Sequence, residues 1–338
     1  MTKTVLVTGG NGYIGSHVIV ELSRNGYQSV IYDSFETSKP YVSEVLQKNL
    51  CHKDFRPVVV EGNILDEDRL ARTLRKYAVE SVIHLAGYKS VAESVIDPIK
   101  YAHGNIAGLI SVLRSMQSVG IKNFVFSSSC TVYGNSGNQP IRESDELIPI
   151  NPYGHSKLVC EQILSNISRT FKDWKITSLR YFNPIGAHPS GLIFDDPVGL
   201  STNILPRIIE STQGNGKFFE IYGGDYNTKD GTAIRDYIHV IDLANAHMLA
   251  LANLSRQQLL LVNVGLGAGI TVLELVRNFE ISTGVNVPVK IVPRRTGDAE
   301  VVYCDTTLFR QLFPEWKTSF SVRDACVHAY SAFKRTKG

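Results

Sequence analysis

The stretch Val5-Leu-Val-Thr-Gly-Gly-Asn-Gly-Tyr-Ile-Gly15 decides the fold of this 338-residue chain. It joins a short apolar strand, Thr4–Thr8, to glycines at positions 9, 12 and 15 and then to a helical pattern. Such a turn lets a diphosphate approach the backbone closely at the positive end of a helix. Asp33 ends the second predicted strand, where a carboxylate can bind adenine ribose hydroxyls. The pattern predicts a dinucleotide site, and the carboxylate favours NAD over NADP.

Strand and helix patterns alternate through the first half of the chain. Predicted strands are Thr4–Thr8, Ser29–Tyr32, Pro57–Glu61, Ser81–Leu85, Asn123–Ser127 and Lys175–Arg180, and predicted helices include Asp66–Tyr77, Ile99–Val119 and Tyr153–Phe171. This alternation predicts an α/β fold with a doubly wound parallel (Rossmann) sheet over residues 1–180, to which some later segments return. Glycine and proline become frequent afterwards, so residues 181–338 are predicted to form mainly a smaller mixed α/β lobe that binds substrate.

Composition excludes several classes of partner. The chain has 35 basic and 32 acidic residues, which gives no reason to expect a nucleic-acid partner. The five cysteines are scattered and match no metal-binding spacing, so we expect reduced, intracellular thiols and no metal. No apolar run reaches the ~20 residues of a membrane span, and no leader pattern precedes the first strand. We therefore expect a cytoplasmic protein with no membrane partner.

A candidate catalytic group lies near mid-chain. Tyr153 precedes Lys157 by one helical turn, and Ser129 ends the Phe124–Ser129 segment. A free tyrosine has a pKa near 10, and we expect the lysine ammonium and a nicotinamide cation to lower it. Ser129 can relay a proton between a substrate hydroxyl and the phenol. A second Tyr-x-x-x-Lys pair, Tyr330 with Lys334, follows no predicted sheet strand and is interpreted as a solvated helix face.

Longer motifs extend this pattern over nearly the whole chain. With the glycine-rich turn they are Val82-Ile-His-Leu-Ala-Gly87, Phe126-Ser-Ser-Ser-Cys-Thr-Val-Tyr-Gly134, Asn151-Pro-Tyr-Gly-His-Ser-Lys157, Leu179-Arg-Tyr-Phe-Asn-Pro-Ile-Gly-Ala-His-Pro-Ser-Gly191 and Asp230-Gly-Thr-Ala-Ile-Arg-Asp-Tyr-Ile-His239. Together they resemble the extended short-chain dehydrogenases/reductases, and among them the family of UDP-glucose (UDP-galactose) 4-epimerases. The last two motifs are the most specific for this family.

The resemblance implies a reaction and an assembly. A tightly held NAD would be regenerated in each turnover, and the substrate would be a UDP-hexose. Tyr153 would take the proton of the sugar 4-hydroxyl while C4 passes a hydride to NAD, and the 4-keto sugar would receive the hydride on its other face. The family is usually homodimeric, with the Ile99–Val119 and Tyr153–Phe171 helices as the candidate interface.

The resemblance also assigns residues to each part of the site. The predicted catalytic residues are Ser129, Tyr153 and Lys157. The predicted cofactor-binding residues are Gly9, Gly12, Tyr13, Ile14, Gly15, Asp33, Ser34, Asn63, Ile64, Leu85, Ala86, Gly87, Lys89, Asn105, Tyr153, Lys157 and Phe182. The predicted substrate-binding residues are Ser129, Asn183, Asn203, Ile204, Leu205, Tyr222, Arg235, Arg295, Asp298 and Val302. The arginines suit a diphosphate, because guanidinium groups bind phosphate oxygens in pairs.

The chain departs from the family pattern at several positions. Asn63 stands where the family has the aspartate that touches adenine, which predicts weaker NAD retention. Ser34 replaces an asparagine, Cys130 an alanine, Tyr88 a leucine and Gly104 an asparagine. None of these changes removes a catalytic group.

Single positions bear on the alternative functions. Val302 occupies a sugar-pocket position where a large side chain excludes N-acetylated sugars, so activity on UDP-N-acetylhexosamines is a hypothesis, and UDP-pentoses or uronates stay open. A sugar dehydratase would need a carboxylate at Ser129-Cys130-Thr131, which has none. A non-catalytic NAD or UDP-sugar-binding regulator would typically lack the tyrosine or the lysine that this chain keeps.

Overall fold

The described part of the chain forms thirteen strands and twelve α-helices. The structure is a computed structural model, and it describes residues 3–199, 201–214, 216–295 and 297–337. The strands are β1 Thr4–Thr8, β2 Gln28–Asp33, β3 Val58–Glu61, β4 Ser81–His84, β5 Asn123–Ser129, β6 Lys175–Tyr181, β7 Asn183–Ile185, β8 Phe219–Tyr222, β9 Ile234–His239, β10 Leu259–Val264, β11 Gly269–Thr271, β12 Val289–Val292 and β13 Val301–Val302. The helices are α1 Tyr13–Arg24, α2 Tyr41–Val45, α3 Glu67–Lys76, α4 Val91–Ile96, α5 Pro98–Tyr101, α6 Gly108–Val119, α7 Pro152–Thr170, α8 Ile204–Ser211, α9 Val240–Ala252, α10 Val272–Thr283, α11 Thr307–Leu312 and α12 Val322–Lys337.

A seven-stranded sheet in the order β10-β6-β5-β4-β1-β2-β3 forms the larger layer, and all of its strand pairs are parallel. Its central strands are continuous apolar runs because helices cover both faces. Val18 of α1 and Leu243 of α9 pack on one face, and Leu109 of α6 and Leu164 of α7 pack on the other. The predicted fold class, a doubly wound parallel sheet with a further lobe, is confirmed.

One predicted helix is interrupted in the structure, and one later strand that was not among the predicted strands joins the large sheet. The predicted Ile99–Val119 helix is divided into α5 and α6 by a π-helical segment at Ala102–Ala107. The strand β10, from the second half of the chain, adds to the edge of the sheet beside β6. Its apolar run Leu-Leu-Leu-Val-Asn-Val supports a buried strand, but sequence patterns alone did not place it next to β6.

The second half of the chain supplies two smaller sheets. In one, β9 pairs with β7, β11 and β13, and in the other β8 pairs with β12. Leu205 and Ile208 of α8, Phe279 of α10 and Ala325 of α12 join Ile221 and Tyr237 in a separate apolar core. Strand β7 follows β6 after the single residue Phe182, so the sheet of β7, β9, β11 and β13 is joined in the chain to the carboxyl end of the large sheet.

The strand order identifies where a ligand can bind. The chain winds outward from β1 through β2 to β3 in one direction and from β4 through β5 to β6 in the other. The carboxyl ends of β1 and β4 therefore border the crevice at which open α/β sheets bind their ligands.

The described residues include no membrane-spanning helix and no metal-binding cluster. No helix there is long and apolar enough to cross a bilayer. No group of three or more His, Cys, Asp or Glu side chains in that part of the chain is arranged to hold a metal ion.

Candidate active site

The glycine-rich turn after β1 forms a narrow cradle. Gly9 has a φ of +68°, a conformation that a glycine adopts without steric cost. A Cβ added at Gly15 would lie 2.2 Å from the Gly9 carbonyl oxygen, so a side chain there would break the turn. Helix α1 starts directly afterwards, and its N-cap residue, Gly12, has no side chain with which to cap the first N–H groups. The turn therefore fits the diphosphate of a dinucleotide.

Asp33 is fixed at the carboxyl end of β2. Its Oδ2 accepts a hydrogen bond from the Asn11 N–H at 3.0 Å, and its Oδ1 accepts from the Phe35 N–H at 2.9 Å and the Ser38 hydroxyl at 3.1 Å. The side chain is buried, yet a carboxylate can accept further hydrogen bonds. Its geometry fits the ribose role that the sequence predicts.

A cavity of about 590 Å³ runs along this edge of the sheet. The predicted cofactor residues that line it are Gly9, Gly12, Tyr13, Ile14, Gly15, Asp33, Ser34, Asn63, Ile64, Leu85, Ala86, Gly87 and Lys89. Asn105 lies behind this wall: its Oδ1 accepts from the Tyr88 N–H at 2.8 Å, and its Nδ2 donates to the Ser156 hydroxyl at 3.0 Å. Phe182 packs in an apolar cluster with Val302.

Two departures from the family pattern explain each other. A Cβ on Gly104 would lie 2.5 Å from the Tyr88 ring, so the missing side chain at one position makes room for the larger ring at the other. The Tyr88 hydroxyl donates to Glu36 Oε1 at 2.8 Å. Asn63 is exposed, and its Oδ1 accepts from the Leu65 N–H at 3.0 Å, so its acceptor oxygen already has a partner.

The three predicted catalytic side chains come from β5 and α7. The Asn151 side chain accepts from the Gly154 N–H at 2.8 Å, and this cap with Pro152 at the first position starts α7 just before Tyr153. Lys157, one turn later, donates to the Ser127 carbonyl at 2.7 Å, and its Nζ lies 5.9 Å from the Tyr153 ring centroid. Ser129 ends β5 and accepts from the Thr131 hydroxyl at 2.9 Å.

Burial controls the protonation of this group. It raises the pKa of Tyr153 to about 12, against the lowering effect of the Ser129 hydroxyl. It also lowers the pKa of Lys157 to about 8. Without a bound cofactor, the pKa of Tyr153 is therefore raised and not lowered as the sequence predicts, because desolvation outweighs the hydrogen bond from Ser129.

A buried ion pair between Glu161 and Arg180 joins the catalytic helix α7 to β6. Glu161, one turn after Lys157, accepts from Arg180 Nη2 at 2.7 Å, with side-chain exposures of only 3% and 2%. The Ser128 hydroxyl donates to the same carboxylate at 2.6 Å, and Arg180 Nη1 donates to the Tyr133 hydroxyl at 2.7 Å. This network ties α7 to β5 and β6 directly beneath the site, and sequence analysis did not identify it.

The predicted diphosphate-binding arginines lie on the smaller lobe. Arg235 of β9 donates to the main-chain carbonyls of Ile234 at 2.8 Å and Ala299 at 2.7 Å. Arg295 is more exposed, pairs with Asp298 at 3.2 Å and lies 4.2 Å from the Tyr222 ring centroid. Among the described residues, Arg235 bonds to main-chain carbonyls and Arg295 to a partly exposed carboxylate, and a phosphate can replace these contacts.

The other predicted substrate residues have distinct surroundings. Asn183 Oδ1 is buried, and within the described residues it has no hydrogen-bond partner. Asn203 caps the start of α8 in sequence and donates through Nδ2 to Asp195 at 2.6 Å. Leu205 is buried and Ile204 packs against the same core. The unpartnered Asn183 oxygen fits a ligand that carries hydroxyl groups.

Asp195 is the main residue that sequence analysis missed. It lies in the loop after the Leu179–Gly191 motif and contacts Asn203 and Lys89, which were predicted to bind different ligands. The signal available in the sequence was Asp195-Asp196-Pro197, an acidic pair inside a long loop.

Comparisons with known proteins agree with this geometry. Residues 5–265 match the NAD dependent epimerase/dehydratase family. UDP-glucose 4-epimerase 2 of Arabidopsis thaliana is 40% identical, covering 96% of this chain and 93% of its own length. The Stenotrophomonas maltophila UDP-glucose-4-epimerase, solved with bound NAD and formylated UDP-arabinopyranose, superimposes with a TM-score of 0.94 at 42% identity over 99% of both chains. The Bifidobacterium longum UDP-glucose 4-epimerase, in complex with NAD+ and UDP, superimposes with a TM-score of 0.95 at 36% identity over 99% of both chains.

The fold and the site define a dinucleotide-binding enzyme of the short-chain dehydrogenase/reductase type. The chain belongs to the NAD dependent epimerase/dehydratase family, and within it to the UDP-glucose 4-epimerases. The resemblance stated from the sequence is confirmed, as is the prediction that NAD is the cofactor.

Proposed function

We propose that the protein interconverts UDP-galactose and UDP-glucose by NAD-dependent epimerisation at C4 of the hexose. The observation that carries this function is that Tyr153 and Lys157 of α7 contact Ser129 and Ser127 at the carboxyl end of β5, in the same parallel sheet as the β1 strand that precedes the glycine cradle. The curated relatives that are 40% identical over nearly the whole chain are named UDP-glucose 4-epimerases, which supports this proposal.

The residues of the cavity fit NAD, and each predicted group has a role in the reaction. The glycine turn at positions 9, 12 and 15 and Asp33 would hold NAD, which would supply a hydride acceptor and donor for sugar C4 and a positive charge that favours the ionised phenol. Tyr153 removes the proton of the 4-hydroxyl and later returns it, with Ser129 as the relay between the sugar and the phenol. Lys157 holds a positive charge beside the phenol.

The smaller lobe holds the nucleotide while the sugar turns. Arg235 and Arg295 exchange their present carbonyl and carboxylate partners for diphosphate oxygens. Asn183 supplies its unpartnered buried oxygen to a sugar hydroxyl. The 4-keto sugar can then present its other face between the two hydride transfers while the UDP portion stays bound.

The test is the formation of UDP-glucose from UDP-galactose by the purified protein, with and without added NAD. Conversion without added NAD supports the function together with firm cofactor retention. Conversion only with added NAD supports the chemistry and the weaker retention expected from Asn63. No conversion in either condition contradicts the proposed function.

Activity on UDP-N-acetylhexosamines is a second proposed activity, and Val302 favours it. This short side chain lies in the buried cluster that also holds Phe182 and Tyr133, and its β13 position pairs with Arg235. A larger pocket beside the sugar would admit an acetamido group. We expect slow turnover of UDP-GlcNAc that Val302→Tyr abolishes while UDP-galactose turnover remains. The absence of UDP-GlcNAc turnover at high enzyme concentration would exclude this activity.

A homodimer and a cytoplasmic location complete the proposal. Ile96, Ile99 and Ile110 expose 84%, 80% and 40% of their surface on the α4 to α6 side of the molecule, which supports a helical dimer interface there. All five cysteines are free, which agrees with a reducing compartment. We expect light scattering to give the mass of two chains for the wild-type protein and the mass of one chain for the Ile99→Glu variant. A monomeric wild-type protein would exclude the dimer.

A further inference from the structure

The segment Phe194–Val198 is a wall shared by two cavities. The larger cavity, about 590 Å³, follows the dinucleotide cradle. The smaller, about 270 Å³, lies towards α8 and α12 and is lined in part by Asn203 and Leu205. All five residues of this segment line both spaces. The segment is therefore placed between the proposed cofactor site and residues proposed for the substrate.

One carboxylate in this segment contacts residues from both sides. The Asp195 side chain is only 7% exposed. Its Oδ2 accepts from Asn203 Nδ2 at 2.6 Å, and its Oδ1 lies 4.0 Å from Lys89 Nζ. Lys89 follows β4 and lines the dinucleotide cavity, whereas Asn203 precedes α8 in the smaller lobe.

The contacts of Asp195 with Asn203 and with Lys89 differ in strength. A buried carboxylate depends on its hydrogen bonds and on nearby positive charge, because water does not solvate it fully. The short bond to Asn203 is charge-assisted, and such bonds are about twice as strong as neutral ones. The Lys89 contact is a longer electrostatic attraction. Loss of the carboxylate would free both residues at once.

We propose that Asp195 is a positioning residue that holds Lys89 in the cofactor site and Asn203 in the UDP-sugar site at a fixed separation. The inference rests on the proposed function of the site, and it adds a specific residue that joins its two halves. Asp195 itself needs no contact with either ligand for this role.

The neighbouring Asp196 provides a matched control. It accepts from Lys39 Nζ at 2.6 Å and from the Tyr41 hydroxyl at 3.1 Å, and both partners follow β2 on the cofactor side. None of its hydrogen bonds in the described part of the chain reaches a residue proposed to bind the UDP-sugar. Because Asp196 also lines the smaller cavity but is not bonded to Asn203, its removal should affect the cofactor side more than the UDP-sugar side.

The experiment measures UDP affinity by calorimetry and the rate of NAD loss from the NAD-loaded protein in four variants. We expect Asp195→Ala to weaken UDP binding and to speed NAD loss, each about tenfold. Asp195→Asn keeps a neutral hydrogen bond to Asn203, so it should speed NAD loss with a smaller change in UDP affinity. Asp196→Ala should speed NAD loss and change UDP affinity far less than Asp195→Ala does, because Asp196 is not bonded to Asn203.

The fourth variant, Asn203→Ala, keeps the test decisive if Asp195→Ala does not fold, which thermal unfolding would reveal. Asn203→Ala should speed NAD loss although it lies on the UDP-sugar side, because it releases Asp195 from one of its contacts. The proposal is overturned if Asn203→Ala leaves NAD loss unchanged, if Asp195→Ala alters only one ligand, or if Asp196→Ala weakens UDP as strongly. A wild-type protein that binds UDP and NAD but converts no sugar would refute the proposed function. The measurements of UDP affinity and NAD loss would still test the role of Asp195. A protein that binds neither ligand overturns both.

Discussion

The two ends of the site are supported in opposite ways. At the catalytic end, Lys157 is buried and rests above the Glu161–Arg180 ion pair, whose side chains are almost fully excluded from water. At the nucleotide end, Arg295 is 44% exposed on its side chain and Arg235 bonds to main-chain carbonyls. The reacting groups are held before any ligand arrives, whereas the groups that bind the nucleotide must exchange partners.

This difference matches the demands of the reaction. A proton transfer needs its donor and acceptor at fixed geometry, which a buried and fully bonded support provides. A 4-keto sugar must turn between the two hydride transfers, so the lobe that holds the nucleotide can tolerate movement that the sheet edge cannot. Variants at the two ends should therefore fail differently.

The largest effect is expected at the catalytic tyrosine. Tyr153→Phe removes the group that transfers the proton, and we expect kcat to fall by about 10²–10⁴-fold while NAD and UDP still bind. Turnover measured with saturating UDP-galactose checks this. Tyr330→Phe is the matched control, because that ring packs against Phe279 in the smaller lobe, away from the sheet edge. Unchanged turnover in Tyr153→Phe would remove the basis of the proposed mechanism.

The buried ion pair should dominate stability at the same end. Glu161→Ala leaves the Arg180 guanidinium uncompensated, and we expect the free energy of unfolding to fall by about 3–5 kcal/mol. Chemical denaturation followed by circular dichroism measures this change. Glu67→Ala breaks an exposed pair with Arg114 and should cost about 0.5 kcal/mol or less. Equal costs for the two variants would contradict the contrast between buried and exposed support.

Cofactor retention should depend on the carboxylate at the end of β2. Asp33→Ala removes the acceptor proposed for the adenine ribose and frees the Asn11 and Phe35 N–H groups. We expect NAD affinity to fall by about 10–100-fold, from the ~1.5–3 kcal/mol of hydrogen bonds to a charged group. NAD content after purification and titration of the stripped protein measure the loss. Asp54→Ala, at an exposed site, is the control, and equal retention in both variants would refute the ribose contact.

The smallest expected effect is a pH dependence of stability that arises from buried histidines, one of which, His17, lies in α1. Burial lowers the pKa of His17 and of His239 to about 3, and of His188 to about 4, from about 6.5 in an unfolded chain. The unfolded chain then binds more protons between these values, so stability is complete above pH ~6.5 and falls as pH drops towards about 4. Thermal unfolding at several pH values should show a shallower loss for His17→Gln than for the wild type. The exposed control His155→Gln should follow the wild-type curve, and an unchanged slope in His17→Gln would contradict the assignment.

Features encoded by neighbouring residues could be predicted from the sequence. The turn from β1 into α1 needs glycines at fixed spacing, and Tyr153 and Lys157 share a helix face, so both patterns are visible in a short window. Most strands and helices in the first half could also be predicted from short windows, because the buried parallel strands are continuous apolar runs.

Features that depend on distant residues could not be predicted in this way. Glu161 meets Arg180 only after β6 forms, and Asp195 meets Lys89 across more than one hundred positions. The effect of burial on the Tyr153 pKa also depends on the folded surroundings rather than on the lysine one turn away. In each case the missing information is which segments pack together.

The most direct test of the account follows the hydrogen at sugar C4. UDP-galactose that carries deuterium at C4 is converted by the NAD-loaded protein in ordinary water, and the UDP-glucose product is examined by NMR and mass spectrometry. Hydride transfer to and from a bound NAD predicts that the deuterium stays at C4 of the product. Loss of deuterium to solvent, at a rate similar to conversion, would contradict the proposed mechanism.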